Sequence, residues 1–229
     1  YHVNAFSTVH NLLNRDRLVV LERFDAARAV DAIEQHRVTA FTATPTMLQR
    51  IADLPGIDDR DLSSIDWILQ GAAPMPPSLV HRWADLIAAE RILMAYGMTE
   101  AIGITALRGD EWLAHEGSVG RGQRGTEARI LDDAGHDLPT GEIGEICSRP
   151  SSGASAEVEY FENAEASAQK TRGGWLRSGD MGWRDEQGWL FFSHRKGGGI
   201  RHNGDFVNAG FVEKLIAEGL ARTPRLSDF

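Results

Sequence analysis

The 229-residue sequence predicts an α/β protein. The expected order is a parallel-sheet α/β subdomain over residues 1–115, a smaller antiparallel, barrel-like β subdomain over 116–193, a hinge at 194–204 and the start of a truncated C-terminal domain at 205–229. Three observations carry that expectation. Apolar strand-like runs alternate with amphipathic helical stretches through the first hundred residues, as a parallel sheet requires. After Glu116, Gly and turn residues recur at short intervals between brief strands. Near the end, Phe211, Val212, Leu215, Ile216 and Leu220 form the apolar stripe of one more helix, with little sequence after it to pack against.

The elements follow in chain order. Residues 17–22, Arg-Leu-Val-Val-Leu-Glu, read as a buried strand. Phe24, Ala27, Val30 and Ile33 recur at helical spacing behind Asp25, which is placed as an N-cap. Residues 38–42 are the next strand, residues 46–52 a short helix opened by Pro45, and Trp67–Gln70 a strand ending at Gly71. Pro76 and Pro77 open a third helix whose Leu79, Val80, Trp83, Leu86 and Ile87 keep the helical period. Residues 92–105 give an apolar run, a Tyr96-Gly97 turn, the pair Thr99-Glu100 and a second apolar run. Brief strands are expected at 127–131, 142–148, 175–178 and 189–193, with hairpin turns at 132–135 and 185–188 supplied by Asp and Gly.

Composition narrows the functional class. With 42% hydrophobic residues and six Trp the chain can bury a substantial core. Its net charge of −9 argues against nucleic acid as the main partner, since that binding rests on Lys and Arg neutralising phosphates. The single Cys147 excludes an intramolecular disulfide and a Cys-based zinc site, and its apolar strand context suggests a buried thiol. No apolar run is long enough to span a bilayer. The first residue is Tyr1 and not Met, so the expectation is an internal piece whose targeting signals lie elsewhere.

Polar chemistry concentrates at Thr99 and Glu100. The carboxyl ends of parallel strands are where open α/β sheets bind ligands. Thr99 can donate to a phosphate oxygen, and Glu100 can ligate Mg²⁺, which sits on one or two carboxylates together with nucleotide phosphates. The blander alternative is a strand end whose Thr and Glu cap the next element. Gly71-Ala72-Ala73-Pro74 also follows a strand, and its small side chains let a flat ring lie against backbone. Taken alone it is a tight strand–helix turn. Ser178-Gly179-Asp180 ends another strand in a carboxylate able to accept from both hydroxyls of a ribose. Arg195 opens a basic, Gly-rich segment that by itself reads as a solvated loop.

Tyr96-Gly97-Met98-Thr99-Glu100-Ala101 resembles the signature of the adenylate-forming superfamily of acyl-CoA synthetases, luciferases and peptide-synthetase adenylation domains. The neighbouring segments agree with it in order and spacing. By that resemblance Gly71, Ala72, Ala73 and Pro74, with Ala95, Tyr96, Gly97 and Met98, line an adenine pocket. Thr99 and Glu100 serve the phosphates and Mg²⁺, and Asp180 binds the ribose. The segment from His194 to Gly204 is similar to the family's hinge, with Arg195 on the ribose and Gly204 edging a CoA channel. It departs from the family pattern at His194, where Asp is usual, and at Gly197, where a Lys or Asp is expected. His2 matches a His beside the carboxylate substrate.

The resemblance implies a two-step reaction. A carboxylic acid attacks the α-phosphate of ATP to give an acyl-adenylate and pyrophosphate, and the CoA thiol then displaces AMP. ATP, Mg²⁺ and coenzyme A are the implied cofactors, Thr99, Glu100, Arg195 and His2 the implied catalytic residues, and the cytoplasm the implied location, with room left for a homodimer. The texture is similar to crotonobetaine/carnitine-type CoA ligases of the acyl-CoA synthetase branch. Neither the family's phosphate loop nor its C-terminal catalytic Lys is found in the sequence, so the 229 residues by themselves are expected to be inactive. Two alternatives stay open: a non-catalytic nucleotide- or acyl-binding remnant, and a peptide-synthetase adenylation domain.

Overall fold

The computed structural model describes residues 9, 11–197, 200–202 and 205–207, with only the backbone of 101–103 and of the last two strands. The chain divides into two compact units, Tyr1–Glu127 and Ala128–Phe229.

The first unit is built on strands β1 (Ala40–Ala43), β2 (Trp67–Gln70), β3 (Ile92–Met98), β4 (Ala101–Arg108) and β5 (Ser118–Gly122). β1, β2 and β3 are parallel neighbours, and β4 runs antiparallel to both β3 and β5. The register places Phe41, Ile68 and Ile92 on one face and Thr42, Leu69 and Leu93 on the other, because side chains alternate along a strand. Ile68 and Ile92 are each 1% exposed, whereas Leu69 and Leu93 are only half buried. The first face is the one that the helices cover.

Those helices form where expected. Helix α1 (Ala26–His36) is capped by Asp25, whose carboxylate accepts from the Arg28 amide at 2.9 Å, and it buries Val30 and Ile33. Helix α2 (Pro45–Ala52) starts at Pro45 behind the Thr44 hydroxyl, and α3 (Pro77–Ile87) starts at Pro77 and buries Leu79, Val80, Trp83 and Ile87. Fully buried Trp83 ties the layers together. Its ring meets Phe41 of β1 edge-on at 6.4 Å, and its indole N–H donates to the Leu48 carbonyl of α2 at 3.2 Å.

Three expectations are corrected, and three further elements appear. Residues 17–22 form no strand: Val20 is 79% exposed and Val19 37%. Apolar content alone does not make a strand where no ladder partner satisfies the backbone. The chain does not turn at Tyr96-Gly97 either, because β3 continues to Met98 and the reversal falls on Thr99-Glu100, with Met98 opposite Ala101. A register break between Tyr96 and Met98 gives β4 two more residues than β3 across that stretch. Residues 176–178 belong to a longer strand that Trp175 precedes, as described below. Finally, helix α4 (Gly109–Ala114), strand β5 and helix α5 (Ala164–Lys170) were not expected, being short and without a long apolar period.

The second unit holds β6 (Thr126–Leu131, in this unit from Ala128), β7 (Gly144–Pro150), β8 (Leu176–Arg184) and β9 (Leu190–Arg195), with β7, β8 and β9 antiparallel as expected. Both hairpin turns form where expected. Asp132 accepts from the His136 amide at 2.8 Å, and Asp185 accepts from the amides of Gln187 and Trp189 at 2.9 and 2.8 Å. Cys147 is fully buried on β7, and burial pushes its thiol up to about 12, with the Glu145 carboxylate adding to the shift. A last hairpin pairs β10 (Ile200–His202) with β11 (Asp205–Val207). The expected helix at 211–220 lies outside the described residues.

Candidate functional site

In the first unit the candidate residues share one end of the sheet. β2 and β3 are parallel, with Gln70 level with Met94, so the 71–74 loop and the 99–100 turn leave the sheet on the same side, at the carboxyl ends of their strands. The loop is held against β3. A Cβ on Gly71 would stand 3.3 Å from the Ala95 carbonyl oxygen, so glycine allows that close approach. Ala72 adopts φ = 75°, a left-handed conformation costly for a residue with a Cβ and characteristic of functional turns. Gln70 holds the loop in that shape: its buried side-chain amide donates to the Ala73 carbonyl at 2.7 Å and to the Gly71 carbonyl at 3.3 Å.

Sequence reasoning passed over Gln70. The signal was a polar residue at a buried strand position directly before a run of small residues. Ala72, Ala73, Pro74 and Thr99 are exposed and Glu100 half buried. Among the described residues no group of three His, Cys, Asp or Glu could hold a metal ion.

On the half-buried face of the same sheet lies a cavity of about 560 Å³. Leu69, Leu93, Ala95, Ala106 and Leu107 give it mainly apolar walls, with Arg108, Glu111 and Gln123 also lining it. Ala95 borders both this cavity and the 71–74 loop.

In the second unit, Asp180 and Arg195 come together. Rather than ending at Gly179-Asp180, β8 runs on to Arg184 and bulges. Cys147 faces Arg177 and Glu145 faces Met181, so Ser178, Gly179 and Asp180 stand opposite Ile146 alone. The bulge turns through Gly179 at φ = 78° and is closed by the Asp180 amide donating to the Ser178 hydroxyl at 2.9 Å. Asp180 pairs across the ladder with Arg195, whose guanidinium donates to its carboxylate at 2.8 Å.

A buried carboxylate supports this bulge, and no sequence motif had singled it out. Glu145, 5% exposed, accepts from the Gly179 amide at 2.9 Å, from Arg177 at 3.2 Å and from Lys196 at 3.3 Å. Lys196 also reaches Asp133 at 2.6 Å, and this bond holds the Asp133 carboxyl below the usual carboxylate value and the Lys196 ammonium above its own. His2 and Gly204 lie outside the described residues.

Comparison with known proteins gives the class. The AMP-binding enzyme family matches residues 1–155, and the chain belongs to that family. Among relatives, it is 32% identical to 4-coumarate--CoA ligase-like 6 of Oryza sativa subsp. japonica, over 94% of this chain and 36% of that protein. It is 33% identical to the crotonobetaine/carnitine--CoA ligase of Escherichia fergusonii, over 87% of this chain and 38% of that one. Among solved structures, the amide bond synthetase McbA from Marinactinospora thermotolerans superposes with a TM-score of 0.78 at 34% identity, over 89% of this chain and 41% of McbA. O-succinylbenzoate coenzyme A synthetase from Bacillus subtilis, solved with ATP and a magnesium ion, gives 0.77 at 26% identity, over 92% and 43%. The chain thus spans little more than a third of the length of each of those two relatives.

Proposed function

We propose that this chain is part of an AMP-forming acid–thiol ligase, which activates a carboxylic acid as its acyl-adenylate and passes the acyl group to the thiol of coenzyme A. The observation that carries the reading is the loop after β2. Small residues, one of them left-handed, are pinned by Gln70 beside the strand that leads into the Thr99-Glu100 turn. Such a loop leaves backbone open to the flat face of adenine. Thr99 would donate to a phosphate oxygen and Glu100 would ligate the Mg²⁺ that the nucleotide brings, while Asp180, oriented by Arg195, would accept from ribose hydroxyls. The bound Mg²⁺ would supply charge neutralisation at the phosphates. The attacking carboxylate is already ionised at neutral pH, so the protein's part is positioning and electrostatic support.

The acid is the finer question. The apolar cavity beside Ala95 favours a carboxylate carrying a flat or aliphatic apolar body over a charged one. The relatives include ligases named for 4-coumarate and for crotonobetaine or carnitine. A second reading has a specific support: McbA is an amide bond synthetase, so an amine could replace CoA as the acyl acceptor.

Screening the full-length protein of which this chain is part against aromatic and aliphatic acids by ATP–pyrophosphate exchange tests the first step. Product analysis with CoA or with amines then decides the second. Exchange with no acid, together with no AMP binding, would overturn the ligase reading.

A further inference from the structure

The second unit holds a cavity of about 360 Å³ that the nucleotide reading does not use. It is lined by the turn Asp133-Ala134-Gly135, by Arg172, Gly173 and Trp175, and by Arg177. Its volume falls within the range of small-molecule sites, roughly 300–1,000 Å³. Neither Asp180 nor Arg195 borders it.

Three features give it a chemical sign. First, Arg177 is 7% exposed, yet its Nε, wholly buried, has no hydrogen-bond partner. Native proteins satisfy nearly all such donors, so the Arg177 side chain beside the cavity keeps unspent hydrogen-bonding capacity. Second, the surrounding charges leave a positive excess. Of the charged side chains that line it, Arg172 and Arg177 outnumber Asp133, whose carboxylate Lys196 engages. Such an excess stands out in a chain whose net charge is −9. Third, the walls are built to hold two guanidinium groups in place: Arg172 donates to the Asp133 carbonyl, and Arg177 donates to the Asp132 carbonyl at 3.1 Å. The Trp175 ring, with the Arg149 guanidinium 4.1 Å from its centre, supplies an aromatic wall.

We propose that this cavity is a binding site for the phosphate group of a small phosphomonoester. Guanidinium forks match phosphate oxygens, and the aromatic wall favours a ligand with a flat body attached. The site is independent of the adenylate chemistry proposed above.

Titration with inorganic phosphate, phenyl phosphate and benzoate, at ionic strength held constant with chloride, tests this through the Trp175 indole N–H resonance, assigned by Trp175→Phe. The expected result is saturable movement with both phosphates, tighter with phenyl phosphate, and weak or no response to benzoate. Arg172 is exposed, so Arg172→Gln should fold normally, and it should weaken phosphate binding by about tenfold, the loss of one charge-assisted contact. Arg172→Lys should recover part of that loss. No movement with phosphate, or equal binding by Arg172→Gln, would overturn the proposal. So would a loss of phosphate binding in Asp180→Asn equal to that in Arg172→Gln, because the anion would then belong to the nucleotide residues.

Discussion

Asp180 is nearly buried while its partner Arg195 is two-thirds exposed, and the 2.8 Å bond between them crosses the β8–β9 ladder at directly opposed residues. This asymmetry separates stability from binding. An exposed arginine adds little to folding, on the order of 0–1 kcal/mol. Arg195→Ala should therefore leave urea unfolding almost unchanged, while weakening AMP binding measured by calorimetry about tenfold through the loss of carboxylate orientation. If the pair were only structural, the same variant would bind AMP normally.

Gln70 makes a different prediction, because its contacts are to backbone. Gln70→Leu keeps the volume but leaves the Ala73 carbonyl without the 2.7 Å donor that holds the left-handed turn at Ala72. The cost to stability should be about 1–2 kcal/mol, the range for one lost hydrogen bond at a partly buried carbonyl. Nucleotide affinity should fall further than that of a variant on the remote exposed face of α1. Thermal unfolding and AMP titration, run side by side, separate the two effects.

These two residues also mark where the sequence could and could not be read. Asp180 and Arg195 could be picked out because each stands in a short, ordered motif, and their pairing, which the sequence does not state, follows from the strands that carry them. The helices α1, α2 and α3 were legible from the spacing of Val30, Ile33, Leu79 and Trp83 and from caps at Asp25, Pro45 and Pro77. The bulge at Ser178-Gly179-Asp180 was not, because extra residues in a ladder are defined by the register of the partner strand. Glu145 was hidden for the same reason. In sequence it is one of many acidic residues, and only the fold places Gly179, Arg177 and Lys196 around it. Residues 17–22 misled in the opposite direction, since their apolar composition matches a strand but two of their valines face solvent.

Glu145 should be the most costly single charge to remove in the second unit. Its carboxylate takes three donors while 5% exposed, and Glu145→Gln would leave the Arg177 guanidinium buried without its counter-charge. Breaking one side of a buried ion pair costs about 3–5 kcal/mol. Urea denaturation of Glu145→Gln against the parent measures it, and a midpoint within error of the parent would show that Arg177 finds compensation elsewhere.

The Lys196–Asp133 bond carries a pH signature with two limits. Asp133 has its folded-state value lowered, chiefly by the hydrogen bond from Lys196, so its contribution is present above the ordinary carboxylate value and is lost as pH falls through the folded one. Lys196 has its value raised, chiefly by Asp133, so its contribution is present below 10.5 and is lost as pH rises through the folded value. Lys196→Met should therefore lower stability most between these limits and converge on the parent at acid and alkaline extremes. Unfolding midpoints measured from pH 2 to pH 11 check the shape.

Cys147 gives the last prediction, which concerns reactivity. Burial raises its thiol from 9.0 to about 12, and Glu145 adds to the effect, so the thiolate that attacks disulfide reagents is almost absent at pH 8 in the folded chain. Folded protein should react with a colorimetric disulfide reagent only as fast as it opens, and urea should expose one equivalent of thiol. The same shift destabilises the fold in alkali. Above pH 9 the unfolded chain releases this proton while the folded chain keeps it, so stability falls as pH rises towards 12, by roughly 4 kcal/mol over the window from this group alone. Cys147→Ala removes that term. Its unfolding free energy should decline less steeply than the parent's between pH 9 and pH 11, and parallel curves would place the thiol within reach of solvent.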